Sequence, residues 1–231
     1  MRIRVGYEIT YDCPQPTPFV LTLRVHPSRA HDLAEPDLIT TRPALRLREY
    51  VDGFGNICSR LTFPAGRTTV TTETIVRDSG QPDPVVADAG EHAVEDLPDE
   101  CLVFLIGSRY CETDRLSNTA WSLFGQRPKG WPLVQAICDH VHDRITFGYA
   151  HASPTKTAFD AYTEKQGVCR DFAHLAVTLC RCMNIPARYC TGYLGDIGVP
   201  LDDSLMDFSA WFVRSLSRRL LVHVRCAAQQ A

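Results

Sequence analysis

No stretch of this chain approaches the roughly 18 apolar residues that a membrane-spanning helix needs, and Met1-Arg2-Ile3-Arg4-Val5 lacks the apolar core of a leader peptide. The expectation is a cytoplasmic protein with no membrane partner. Excess positive charge is missing too: 24 Lys and Arg stand against 27 Asp and Glu, a formal net charge of -3, and no basic run occurs before the C-terminal tail. Such a surface has no field to hold a phosphate backbone, which excludes nucleic acid as the expected partner. Internal repeats and low-complexity tracts are absent, so the chain is no solenoid or array. Ten cysteines are present, but none pair into CxxC units, and the one cluster, Cys180, Cys182 and Cys190, lacks a second ligand pair at zinc-finger or ribbon spacing. No metal and no cofactor are expected. Without an export signal, most of these thiols are read as reduced and buried like small hydrophobes.

What is present is enough apolar residue for a core: 45% of 231 residues, sufficient for one large domain or two small ones. In residues 1–80, Ile3, Val5, Tyr7, Ile9 and Tyr11 alternate with polar positions, predicting a half-buried strand. Phe19 to Val25, Tyr50-Val51, Ile57 to Phe63 and Thr68 to Val76 predict further strands, with a Gly-rich hairpin turn over Asp52 to Asn56. Short strands separated by Pro and Gly suggest a small β-sandwich. Residues 81–125 read as a linker and connecting segment, with Pro, Asp and Gly concentrated before residue 100. From 126 to 212 the period changes. Pro132 suits a first helical turn, and Leu133, Ile137, Val141 and Ile145 predict a helix ending near Phe147. Ala158 to Glu164 predicts a shorter helix. A third begins after Gly167, with Phe172, Ala176, Leu179 and Met183 on one face before Pro186, and strands follow at Ala187 to Tyr193 and Phe208 to Phe212.

Cys169 falls at the first turn of that third helix. Unpaired N–H groups and the helix dipole favour a thiolate there, and Arg170 adds positive charge nearby. Position alone leaves open that Cys169 is one more buried thiol. The surrounding residues weigh against that. Thr157-Ala158, the run from Gly167 to Leu175 (Gly-Val-Cys-Arg-Asp-Phe-Ala-His-Leu), Asn184 to Tyr189 (Asn-Ile-Pro-Ala-Arg-Tyr) and Gly192-Tyr193 together resemble the core of bacterial transglutaminase-like proteins. Phe104 to Cys111 extends the resemblance upstream, and the β-rich first eighty or so residues look like the domain that often precedes this core.

The resemblance implies an α+β chain: an N-terminal β-sandwich, then a papain-like transglutaminase core whose cysteine-bearing helix packs on an antiparallel sheet, with its C-terminal strands incomplete. It also implies a nucleophilic Cys169, a His base on a later strand, an Asp that orients the imidazole, and a protein or peptide substrate. The supporting positions it marks are Arg170, Asp171, His174, Asp207 and Trp211. Oligomeric state has no sequence signature here.

Two departures bear on activity. The family's Asp-Phe-His-Ala-Trp motif reads Asp207-Phe208-Ser209-Ala210-Trp211, so Ser209 stands at the base position and cannot accept a proton near neutral pH. His174 is the nearest substitute, yet five positions along a helix turn it about 140° away from Cys169. His140 and His142 read as packing or surface residues. Asp207 reads as a contact at the site's rim or as the residue that closes a turn. The orienting Asp is also missing from the atypical tail, residues 213–231. Back-translated with chosen synonymous codons and read one nucleotide later, Leu221 to Gln230 spell Trp-Tyr-Thr-Phe-Asp-Ala-Arg-His-Asn, close to the family's next strand. The hypothesis is a slipped reading frame near Phe212-Val213; an unbroken frame with these same codons on resequencing the DNA would end it. Leu220-Leu221-Val222 can still add a strand to the exposed edge, and His223 is given no role. The expected function is thus cysteine-dependent acyl transfer or peptide and amide hydrolysis, set against a silent peptide-binding or scaffolding module or a truncated product.

Overall fold

Alternation of the kind seen from Arg2 to Cys13 builds a strand with one wet and one dry face, and residues 2–13 form β1 with every second side chain drawn inward. The computed structural model describes residues 1–81, 89–193 and 208–212, and the backbone of 213–216 and 220–224. The chain divides into two units, Met1–Pro82 and Asp83–Ala231.

In the first unit, β2 (Thr17–Leu21), β3 (Thr40–Arg42), β4 (Arg48–Val51), β5 (Ile57–Phe63) and β6 (Gly66–Arg77) join β1 in two antiparallel sheets, ordered β1-β6-β3 and β2-β5-β4. Phe63 and Val70 are sealed between them, with the Tyr11, Phe19 and Phe63 rings 4.1–5.6 Å apart. This is a small sandwich with an aromatic centre. The β4–β5 hairpin forms where expected: the Asp52 carboxylate accepts the N–H groups of Phe54 and Asn56, and Gly55 takes φ +84°. β2 ends at Leu21, short of the predicted Val25. There the Val25 N–H is taken by the Asp37 carboxylate at 2.5 Å, so the side chain replaces a ladder bond.

In the second unit, α1 (Asp99–Leu102) is a single turn, but α2 (Thr113–Phe124) is a full helix that buries Leu116, Ala120 and Phe124 in the core. Residues 81–125 are therefore more than a connection. Their i, i+4, i+8 apolar spacing makes one buried stripe. α3 (Trp131–Arg144) buries Leu133, Val134, Ile137, Cys138 and Val141 and stops short of Phe147. The next residues instead form β7 (Thr146–Phe147), which pairs in parallel with β8 (Gln166–Gly167) beyond α4 (Ala158–Glu164). A capping box between Thr157 and Asp160 starts α4, and Lys165 at φ 59° ends it.

α5 (Cys169–Cys182) is the hub. Every residue from Asp171 to Cys180 is buried, because α2, α3 and α4 and the strands β9 (Ala187–Gly192) and β10 (Ser209–Leu216) surround it. The apolar stripe seen in the sequence understates this burial. Arg181 in the last turn donates from Nε and Nη2 to the Ala187 carbonyl, tying the helix end to β9. β11 (Leu220–Val224) pairs antiparallel with β10, giving the order β11-β10-β9. β10 thus runs past Phe212, and the tail adds an edge strand. No helix among the described residues is long and apolar enough to cross a membrane.

Candidate active site

The site begins at a glycine. Gly167 ends β8, its carbonyl accepting the Gly148 N–H at 3.0 Å, and two residues later Cys169 opens α5. Backbone freedom is not the reason for this glycine, since its φ is not in the left-handed region. The reason is space: a Cβ at 167 would lie 2.7 Å from both Cβ and Oδ2 of Asp171. Asp171, 1% exposed, accepts the Val168 N–H on Oδ2 at 2.9 Å and an Arg170 Nη2 donor on Oδ1 at 3.3 Å. Val168 has no side-chain acceptor to return, so this is half of a capping box, made by a buried carboxylate at the positive end of the helix.

Cys169 is partly exposed and lines a cavity of about 320 Å³. Phe147, Tyr149, Pro154, Tyr189 and Phe208 give it an aromatic and apolar lining, to which Ser153, Arg170, Ser209 and Ala210 also contribute. Cys169 and Ser209, 40 residues apart in sequence, therefore share one cavity. β10 delivers Ser209: it is 4% exposed, sits opposite Gly192, and its carbonyl accepts the Thr191 hydroxyl at 3.1 Å. Trp211 pairs with Cys190, and its ring lies over Gly192, 3.2 Å from where a Cβ would be. Its indole N–H is buried without an acceptor. Phe212 is sealed in the core. Asp207 lies outside the described residues.

Arg170 is held by the Ser153 carbonyl and by Asp171. Tyr189 stands close enough to Cys169 that burial and then the sulfur's charge push its phenol up to about 12, so it stays a hydrogen-bond donor at neutral pH. In the sequence Tyr189 stands only inside a motif, and Phe147, Tyr149 and Pro154 carry no local signal: Phe147 arrives through the β7–β8 pairing, and Tyr149 and Pro154 follow it in the chain. A second, polar cavity of about 490 Å³ shares Ala152 and Ser153 with the first. His151, Lys156, Asp160 and Glu164 line it, with Lys156 bonded to Glu164 at 2.8 Å and to the Gln166 carbonyl at 3.2 Å.

His174 is kept away from this cavity. It lies between Tyr110, stacked at 5.3 Å, and Tyr189 at 4.9 Å, with Nδ1 buried and unpartnered. Burial, then the charges of Arg170 and Arg181, depress its pKa to about 4. It is a neutral core residue at physiological pH. His140 packs on Phe124 and Tyr162, and His142 is exposed. Among the described residues, no three His, Cys, Asp or Glu side chains converge as a metal site.

The state of His174 has a measurable consequence. Between its ordinary value of 6.5 and about 4, the unfolded chain binds a proton that the folded chain does not, so stability is full above the window and is lost as pH falls through it. A displacement of that size corresponds to about 3 kcal/mol. Urea unfolding at pH 7 and pH 4 is expected to lose about that much less in His174→Phe than in the parent chain. Equal acid losses in the two proteins would show that His174 is already charged when folded.

Residues 123–221 match the model of the transglutaminase-like superfamily. An uncharacterised protein of Mycobacterium leprae is 26% identical over 163 residues, 68% of this chain and 57% of its own length. An uncharacterised protein of Mycobacterium tuberculosis H37Rv is 30% identical over 175 residues, 69% of this chain and 54% of its own. The chain thus spans little more than half the length of either relative. Among solved structures, a candidate cysteine protease from Cytophaga hutchinsonii superposes with a TM-score of 0.81 at 28% identity, over 99% of this chain and 77% of that one. With the family's model on residues 123–221, which bear Cys169, and a structural match over 99% of the chain, the chain carries a transglutaminase-like domain of the kind found in bacterial proteins.

Proposed function

We propose that the cavity is an acyl-transfer site in which Cys169 attacks the carbonyl of a peptide or amide in a protein or peptide substrate. A C–S bond forms, the C–N bond breaks, and the amine leaves with a proton; water or a second amine then cleaves the thioester and returns the thiol. No cofactor enters either half-reaction. The observation that carries the reading is the placement of a partly exposed Cys169 at the first residue of α5, inside the cavity that also holds Ser209. The amide of Cys169, ahead of the first intrahelical bond, supplies an oxyanion donor, and the Tyr189 phenol is a second candidate. A cytoplasmic setting accords with the nine cysteines among the described residues that form no disulfide, since an oxidising compartment tends to pair them.

Ser209 favours a second reading: a catalytically silent domain whose aromatic cavity binds a peptide without cleaving it. Thiol alkylation separates the two. Burial raises Cys190, and raises Cys182 to about 11, so neither competes for the reagent, while half-exposed Cys101 serves as the internal reference. Iodoacetamide at pH 6 is expected to modify Cys169 about tenfold faster than Cys101. Equal rates at the two thiols sink the enzyme reading and leave the silent one.

A further inference from the structure

We infer that Arg170 selects acyl donors that carry a carboxylate close to the reacting carbonyl. This rests on the acyl-transfer reading of Cys169 and adds the class of substrate. Among the described residues that line the cysteine's cavity, Arg170 is the one permanent charge, and no carboxylate faces it there. The neighbouring cavity holds the acids, Asp160 and Glu164, and Lys156 already offsets Glu164.

The guanidinium has donors to spare. Nη2 serves both the Ser153 carbonyl and Asp171, but Nε is shut from solvent with no partner and Nη1 makes none of these bonds. Nε lies out of a ligand's reach, so the donor an arriving carboxylate meets is Nη1, on a side chain that is 29% exposed. Because Ser153 and Asp171 already hold the side chain, little rotamer freedom is lost when a ligand binds. Asp171 itself does not fill the role: it is 1% exposed and turned to the Val168 N–H. Its charge does cancel much of the long-range field of Arg170, so the selection works by direct contact. The matching donors are peptides with Asp or Glu beside the scissile bond, or acyl groups with an α-carboxylate of their own.

Iodoacetate and iodoacetamide differ only by carboxylate against carboxamide, so their rate ratio at one thiol reads the inference directly. The ratio at Cys169, measured by mass spectrometry against that at Cys101 of the same molecules, is expected to favour iodoacetate by about tenfold. The preference should vanish in Arg170→Gln, persist in Arg170→Lys, and weaken in the natural chain at about 0.5 M salt. A ratio equal to that of Cys101, or one indifferent to both the Gln variant and salt, overturns it. Fast reaction with both reagents and no preference leaves the nucleophile standing and removes Arg170 as selector. A carboxylate preference on a slow thiol does the reverse.

Discussion

Ser209→His is expected to speed alkylation of Cys169 at pH 6 by about ten- to a hundredfold. An ordinary thiol is well under about 1% ionised at that pH, whereas a cysteine paired with an imidazolium is largely thiolate. Part of the gain is returned because the nucleophilicity of a thiolate falls with its basicity, which limits the net increase to about two powers of ten. The placement that supports this is physical: β10 sets residue 209 in the wall of the cavity that contains the sulfur. The advantage over the parent chain should shrink above about pH 8, where unassisted thiols ionise. With a peptide amide as substrate, a general base is worth about 10²-fold or more, and the low end is expected because no carboxylate is assigned to orient the imidazole. If the variant unfolds at the parent's urea midpoint yet alkylates at the parent's rate, residue 209 does not serve the sulfur and the silent reading gains.

What was legible in the sequence is what local chemistry fixes. The alternation of β1, the short helix from Ala158 to Glu164 and the start of α5 at Cys169 each depend on residues within a turn or two, and each forms as the pattern predicts. What was not legible depends on residues far apart. The two-residue pairing of β7 with β8 carries Phe147 and Tyr149 to the cavity, and nothing in either dipeptide announces it. α2 was hidden for another reason: its Leu116, Ala120 and Phe124 stripe was present, but it follows a segment rich in helix breakers and was grouped with it. The full burial of α5 also escaped an amphipathic reading. Asp171 and Thr178 look like solvent positions until Asp171 is seen to take the Val168 N–H and Thr178 to donate to the His174 carbonyl at 2.7 Å. Polar residues enter a core when their partners are inside it, and those partners are set by the fold.

Gly167→Ala should cost about 3 kcal/mol, much of it through a residue four positions away. The added methyl would meet Cβ and Oδ2 of Asp171, each at 2.7 Å, closer than carbon tolerates. One escape shifts the first turn of α5 to move the Asp171 Cβ and turns its carboxylate away. That forfeits the helix cap, worth about 1 kcal/mol, and leaves the Val168 N–H and a buried charge short of partners for about 1–3 kcal/mol more. The other escape withdraws β8 from β7 and breaks the bond between Gly167 and Gly148. Either path moves the first turn of α5, so Cys169 should also lose its alkylation advantage over Cys101. Urea unfolding gives the first number, and the same substitution in an Asp171→Gly background, which removes the Cβ along with the carboxylate, tests its cause. There the methyl has lost its main obstacle, and the cost should fall to about 1 kcal/mol. An undiminished cost in that background would trace the damage to the strand pairing instead. It would also mean that the carboxylate is not what demands a glycine beside the candidate nucleophile.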